Sequence, residues 1–451
     1  MKAPKELARL LGASKASVKP ADLARAARDF AGNDLGRALC VVRPADTEDV
    51  RKTVLWARKA KTALTPMGAL SSFWAATRAA GRVALDLRGL SRLLSVDALE
   101  GVAHAQAGMS VAAFDAALSK KGLTLAAAPD GFGDATLGSL AANDTVAGLG
   151  QFAAPATSQL VGLTVVLGTG EILRTGASSV LGLPAFALQG VPDPTGLFLA
   201  SEGSLGIVTE LLLRASPRPK RSALVLRRPS SSKDFARLAA AARALRGTPG
   251  IDRFLVESWV TMRPDEARVE LAGPDDEALR AAARRVAAAF KAEGLPEPEP
   301  AGSGKSRWQE RPLGKESWKG VSLQVPHANA GRVYDLWVTR LRGRVAGVAS
   351  PEGFLRTYLN AYGCASLFGW SFPAGEAAAA SSAEVERGLR TLLGPLGIPY
   401  RAGTVWRAAL DGRLDPVYAG TLRSVKTLFD PDGILNPGVG VVDAALRRGT
   451  K

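Results

Sequence analysis

The chain has 451 residues, 47% of them hydrophobic, enough for two domains with sizeable cores and ordinary for a globular protein. The net charge is +16, but the arginines are spread through Ala-rich helical stretches such as 236–246 and 279–292, and no nucleic-acid motif accompanies them. Nucleic acid is therefore not an expected partner, and the field suits an anionic substrate, an acidic redox partner or a membrane surface. The two cysteines, Cys40 and Cys364, exclude a disulfide framework and match no metal-ligand spacing, and no apolar run approaches the roughly 18 residues of a membrane span.

Residues 4–32 read as one or two short helices, with Leu7, Leu10 and Leu11 at helical spacing and Pro20-Ala21-Asp22-Leu23 as a helix start, together a docking arm over 1–36. Lys and Arg run through this segment in place of an apolar h-region, so no secretory signal is expected and the expected location is cytoplasmic or peripheral at a membrane. A strand at Leu39-Cys40-Val41-Val42 precedes a helix with an acidic first turn, Asp46-Thr47-Glu48-Asp49, and a strand at Ala63-Leu64-Thr65 follows. Alternation marks strands at 83–87 and 101–108, then a helix over 111–120. His104 falls mid-strand, as a base near a ligand or as a residue facing a neighbouring strand or solvent.

Residues 160–173 make two core strands around Gly168-Thr169-Gly170, which lacks the third glycine and the helix of a dinucleotide fingerprint. Gly304-Lys305-Ser306 mimics the end of a P-loop, but Glu299 stands where its first glycine belongs, so ATP is rejected. After Pro217-Arg218-Pro219 the composition changes, which sets a boundary. Beyond it, strands at 223–226, 254–259 and 268–271 with helices over 234–245 and 275–292 form one α+β unit. Strands at 321–325, near 355–364 and at 367–372, with helices over 330–342 and 382–393, form another, and the two suit an antiparallel sheet with helices on one face. His327, after Pro326, takes a first-turn position. A last helix covers 422–428.

Four stretches carry the chemistry. They are Thr136-Leu137-Gly138-Ser139-Leu140-Ala141-Ala142-Asn143, the strand pair 160–173, Ser201-Glu202-Gly203-Ser204-Leu205-Gly206-Ile207-Val208-Thr209-Glu210, and Phe429-Asp430-Pro431-Asp432-Gly433-Ile434-Leu435-Asn436-Pro437-Gly438. Gly203, Ser204 and Gly206 let the backbone turn tightly and offer N–H groups to a ligand before re-entering a strand. Pro431 fixes φ and Gly433 permits φ above zero, a turn with its mechanism visible. In this order and spacing the stretches resemble the vanillyl-alcohol oxidase / p-cresol methylhydroxylase (PCMH) superfamily of FAD-dependent oxidoreductases, within it the glycolate oxidase and D-lactate dehydrogenase branch of FAD-linked oxidases.

The resemblance implies an α+β protein: a two-subdomain FAD-binding PCMH-type domain over 37–219, a ferredoxin-like α+β substrate (cap) domain over 220–420, and a C-terminal segment, 421–451, returning to the flavin domain. It implies FAD, held noncovalently because neither His nor Cys occurs over 66–74. Cofactor contacts are expected from the pyrophosphate loop, Pro66, Met67, Gly68, Ala69, Leu70, Ser71 and Ser72, in which only Gly68 remains of the usual glycines. Further contacts are expected from Pro129, Asp130, Thr136, Gly138, Ser139, Ala142, Asn143, Glu202, Gly203, Gly206, Ile207, Val208 and Asn436, with no metal.

The implied reaction is hydride removal from a small 2-hydroxy acid, glycolate- or lactate-like, with electrons leaving to a quinone or to an iron–sulfur or other electron-transfer protein. The alternative is a flavin-domain subunit or degenerate homologue that serves assembly with such a partner. The histidines common in this branch have no counterpart around Tyr400-Arg401-Ala402-Gly403. Catalytic candidates are Arg401, whose guanidinium matches a carboxylate, and Arg356, Tyr358 and Tyr362, which with Asn360 share one face of a strand by period-two spacing. The polar face of any sheet produces that same alternation.

Overall fold

The computed structural model describes residues 3–72, 74–125, 135–145, 159–183, 185–186, 190–227, 231–261, 265–301, 317–349, 352–360, 363–373 and 375–446. Pro129, Asp130, Tyr362 and the Gly304-Lys305-Ser306 stretch lie outside them.

Three sheets follow one another along the chain. The first contains β1 (Ala16–Ser17), β2 (Cys40–Val42), β3 (Leu64–Met67) and β4 (Val83–Asp86) in the order β1-β2-β4-β3, parallel except for β1. Helix Thr47–Ala60 crosses between β2 and β3. Asp46 starts it by accepting from Asp49 N at 2.8 Å, and Glu48 and Asp49 favour the positive end of its dipole. Val50, Val54 and Ala57 recur at helical spacing and are buried with Val42, Leu64 and Leu85.

The second sheet contains β5 (Leu93–Asp97), β6 (Val102–Gln106), β7 (Leu123–Leu125), β8 (Leu160–Val166), β9 (Ile172–Arg174) and β10 (Ile207–Pro217). β10 is its spine, pairing antiparallel with β6, β7 and β8. The Ser201–Gly206 turn therefore feeds directly into the central strand of this sheet.

At 218–219 the chain leaves that sheet. β11 (Lys220–Arg227), β12 (Ile251–Trp259), β13 (Glu266–Gly273), β14 (Glu299–Ala301), β15 (Ser317–Val325), β16 (Gly353–Leu359), β17 (Cys364–Phe372) and β18 (Ile398–Pro399) form one antiparallel sheet in the order β14-β11-β13-β12-β16-β17-β15-β18. In β13, Ala267, Val269 and Leu271 are buried while Glu266, Arg268 and Glu270 alternate to the other side, so one face is apolar. Helices Ser232–Ala244, Asp276–Ala292, Ala330–Leu336 and Glu376–Leu393 cover that face in a core shared with Phe254, Val256, Leu355 and Phe368. The class is α+β, as expected.

Several elements differ from expectation, three of them for reasons visible in their bonds. The strand expected near 355–364 is a hairpin: β16 ends at Leu359, Asn360 N donates to Gly363 O at 2.8 Å, and Cys364 opens β17. Period-two spacing beyond Asn360 consequently carries no face information. The helix expected over 330–342 widens into a π-helical turn at Trp337–Leu341, where the buried Trp337 indole donates to Ser258 Oγ at 2.8 Å. The last long helix runs Pro416–Phe429, because Asp415 accepts from Tyr418 N at 2.9 Å and Pro416 stands at N1.

Both ends of the chain pack onto the sheets. Leu64 N donates to Ile434 O at 2.8 Å and Asn436 N to Leu64 O at 2.9 Å, so the C-terminal segment lies parallel beside β3. From the N-terminal side, Ala31 packs with Trp259, Trp318 and Phe354 on the helix-free face of the large sheet, and Phe30 stacks on Trp318 with ring centroids 6.0 Å apart.

Candidate functional site

The turn 201–206 builds its own shape. Ser201 Oγ donates to Phe198 O at 2.8 Å and Ser204 Oγ to Ser201 O at 2.6 Å, while Glu202 and Gly203 have φ of 51° and 71°. A side chain at Gly203 would meet the Pro66 ring 2.5 Å from its Cβ, and one at Gly206 would meet Val165 and Phe198. Both glycines are therefore required by close approach. The C-terminal segment locks the turn from below. The buried Lys426 ammonium donates to Ser204 O at 2.6 Å, Leu435 O at 3.1 Å and Asp430 Oδ2 at 2.5 Å, while Asp430 accepts from Ile434 N and Leu435 N. Asn436, at φ 40°, donates its amide to Glu202 O at 2.7 Å and Ala76 O at 3.0 Å.

Above this floor opens a cleft of about 1080 Å³, its open mouth included. Pro66, Met67, Gly68, Ala69, Leu70, Ser71 and Ser72 form one wall, and Thr136, Gly138, Ser139, Ala142 and Asn143 another. Glu202, Gly203, Gly206, Ile207 and Val208 complete it, with Arg401 reaching in from the segment after β18. The structure thus brings the described cofactor candidates together, except that Asn436 stands behind the wall and acts through Glu202 and Ala76. Asp29, Ala76, Thr77, Leu87, Ala107 and Thr145 also line the cleft and were not legible as site residues.

The catalytic candidates divide. Arg401 lines the cleft: its guanidinium lies 4.7 Å from the Tyr400 ring centroid and its Nη2 donates to Tyr400 Oη at 3.3 Å. Arg356 does not. It is 3% exposed on β16, directly opposite Glu257 on β12, and donates through both Nε, at 2.6 Å, and Nη2 to Glu257 Oε1. A central-strand arginine facing a glutamate across the ladder becomes a cross-strand ion pair, so Arg356 is corrected from substrate ligand to sheet component. Tyr358, opposite Leu255 and Ala365 on the same helix-free face, is half-buried and likewise outside the cleft lining. His104 Nε2 meets Glu210 Oε2 at 3.0 Å across β6 and β10, the neighbouring-strand reading, and His327 opens a short helix after Pro326.

Two carboxyls in the cleft are pushed toward neutrality. Burial raises Glu202 to about 7, opposed by the Gly403 N–H, which donates to Oε1 at 2.9 Å, and by the Arg401 charge. Burial raises Asp29 to about 6, opposed by hydrogen bonds from Asn33 and Ala75. Asp29 has both oxygens engaged, whereas Glu202 Oε2 is buried with no hydrogen-bond partner among the described residues.

The donor set suits FAD. Asn143 Oδ1 is also buried and unpaired at the cleft wall, an acceptor that a ligand hydroxyl can satisfy. Ser71, Ser72, Thr136, Ser139 and Thr145 supply neutral hydroxyls, and Gly68 brings its backbone so close that a Cβ there would lie 2.5 Å from Thr136 Oγ1. Hydroxyls and close backbone match a polyol and diphosphate, and the apolar Leu87, Ala107, Ile207 and Val208 match a flat ring system.

Comparison with known proteins agrees. The FAD binding domain family matches residues 38–176 and the C-terminal domain of FAD linked oxidases matches 402–439. D-2-hydroxyglutarate dehydrogenase of Xanthomonas citri pv. viticola is 29% identical over 221 residues, 48% of this chain and 45% of that protein. Glycolate oxidase subunit GlcD of Bacillus subtilis is 25% identical over 233 residues, 51% and 48%. The chain thus spans about half the length of the curated relatives it matches. The structure of 4-ethylphenol oxidase from Gulosibacter chungangensis superposes with a TM-score of 0.78 over 97% of this chain and 96% of that chain at 16% identity, a likeness of fold. The fold is of the PCMH type, and the match over 38–176 marks its FAD binding domain. Residues 38–176 thus carry an FAD binding domain and residues 402–439 the C-terminal domain of FAD linked oxidases, and the cofactor is FAD.

Proposed function

We propose that this protein oxidises a small 2-hydroxy acid at its alcohol carbon and passes the electrons to a quinone or an electron-transfer protein. The observation that carries this reading is Arg401 entering the cleft beside Glu202. Bound noncovalently, FAD supplies the hydride acceptor. Arg401, steadied by Tyr400, has a buried Nε with no hydrogen-bond partner among the described residues, a donor that a substrate carboxylate would satisfy. Burial raises Glu202 to about 7, so part of it is ionised near neutral pH, and in that form its unpaired Oε2 would accept the hydroxyl proton while FAD, when bound, would take the hydride. The D-2-hydroxyglutarate dehydrogenase and GlcD relatives support the substrate class by their names.

The test is anaerobic addition of glycolate, lactate and 2-hydroxyglutarate to the FAD-loaded protein. Bleaching by one of them, lost in Arg401→Ala while FAD stays bound, is expected; no bleaching by any removes this substrate class. Acid denaturation should release the flavin from the polypeptide. A second reading, a flavin subunit acting only within an assembly, is favoured by the absence of histidine from the cleft lining among the described residues and by the naming of GlcD as a subunit. A protein of that kind copurifies with a partner and does not turn over alone.

A further inference from the structure

The cofactor loop carries an unexplained cost. Leu70 has φ 60° and Ala75 has φ 48°, the left-handed region that residues with a Cβ avoid. Both residues carry side chains, so neither reaches this conformation as easily as glycine would. Something outside the loop must hold them, because strained backbone persists only where its surroundings over-determine it.

Two consecutive residues of the N-terminal arm do so. Phe30 N donates to Leu70 O at 2.8 Å, and Ala75 N donates to Asp29 Oδ2 at 3.1 Å. The arm is itself fixed. Asn33 donates through its backbone N to Asp29 Oδ1 and through Nδ2 to Asp29 Oδ2, both at 2.9 Å, and accepts at Oδ1 from Lys319 Nζ of β15 at 2.6 Å. Phe30 stacks on Trp318 of the same strand. Asp29 and Leu70 both line the cleft, so the clamp sits at the cofactor's edge.

We propose that Asp29 and Phe30 are positioning residues for the pyrophosphate loop: their two hydrogen bonds impose at Ala75 and Leu70 the left-handed backbone that glycine would adopt unaided. The arm anchors the loop to β15 of the large sheet and so replaces missing glycines with an external brace. This rests on the cleft being the FAD site.

Glycine rescue tests it. FAD affinity of the apoprotein is measured by quenching of flavin fluorescence in wild type, Asp29→Ala, Ala75→Gly and the double variant, with thermal unfolding of each apoprotein alongside. Asp29→Ala is expected to weaken FAD binding about tenfold, Ala75→Gly to leave it unchanged, and the double variant to recover most of the loss, since glycine reaches φ near 50° without help. A general loss of fold would not be repaired by removing one Cβ. Should Asp29→Ala not fold, Asp29→Leu, which keeps the side chain's shape but offers Ala75 N no acceptor, should bind FAD more weakly than wild type, again restored by Ala75→Gly. Unchanged affinity on losing the Asp29 carboxylate, or a loss that glycine does not repair, overturns the clamp. Wild type that takes up no FAD would instead overturn the cofactor site itself, and the clamp with it.

Discussion

The turn at 201–206 and the loop segments 66–72 and 74–76 face each other across one cleft and keep their shapes by different means. The first is closed by its own serine hydroxyls, carries Glu202 and Gly203 at positive φ, and is seated on Lys426 and Asn436 of the C-terminal segment. The second carries Leu70 and Ala75 where glycine is easier and depends on Asp29, Phe30 and Asn436 from both ends of the chain. A turn whose chemistry is local can be recognised from its residues in order, whereas a braced loop shows only an unsuitable sequence until its braces are known.

Breaking the seat of the self-closed turn should have the largest effect. Lys426→Met leaves Asp430 buried without its counter-charge and removes donors from Ser204 O and Leu435 O, at a cost of about 3–5 kcal/mol in denaturant unfolding. Next is the pH dependence of Glu202. Burial lifts it from the ordinary 4.5 to about 7, so the folded protein binds that proton more tightly than the unfolded chain. Its contribution, on the order of 3 kcal/mol, is complete below 4.5 and lost as pH rises through 7. Apoprotein melting temperature should fall across that window in wild type, and Glu202→Gln should flatten that part of the profile.

Gly203→Ala adds a Cβ against the Pro66 ring at positive φ and should cost about 2 kcal/mol, with weakened FAD retention in gel filtration. The smallest change belongs to the braced loop: Leu70→Gly relieves the left-handed strain but gives up some packing, and should shift unfolding by no more than about 1 kcal/mol. A loss there as large as at Gly203 would erase the contrast between the two loops.

What was legible in the sequence follows the same division. The acidic first turn Asp46–Asp49, the alternation of β13 and the turn residues Asp430, Pro431 and Gly433 act within a few positions, and the elements they begin or close appear where their residues indicate. Asp29 escaped because the loop it holds is 46 residues away, and Arg356 was misread because Glu257, its counter-ion, is 99 residues away on a strand whose register no local pattern sets. The hairpin between Leu359 and Cys364 was hidden by apolar residues continuing on both sides of the Asn360 N to Gly363 O bond. Arg401 was legible as a residue type, and only the fold sets it beside Glu202 in the cleft.

The measurement that tests the account most directly is the visible spectrum of the FAD-loaded protein during anaerobic titration with a 2-hydroxy acid, in wild type and Arg401→Ala. Loss of the flavin's visible band in wild type, with Arg401→Ala retaining both the band and the bound flavin, is the expected result. A flavin that no 2-hydroxy acid bleaches, or that bleaches equally in both proteins, would contradict a carboxylate grip by Arg401 and proton removal by Glu202.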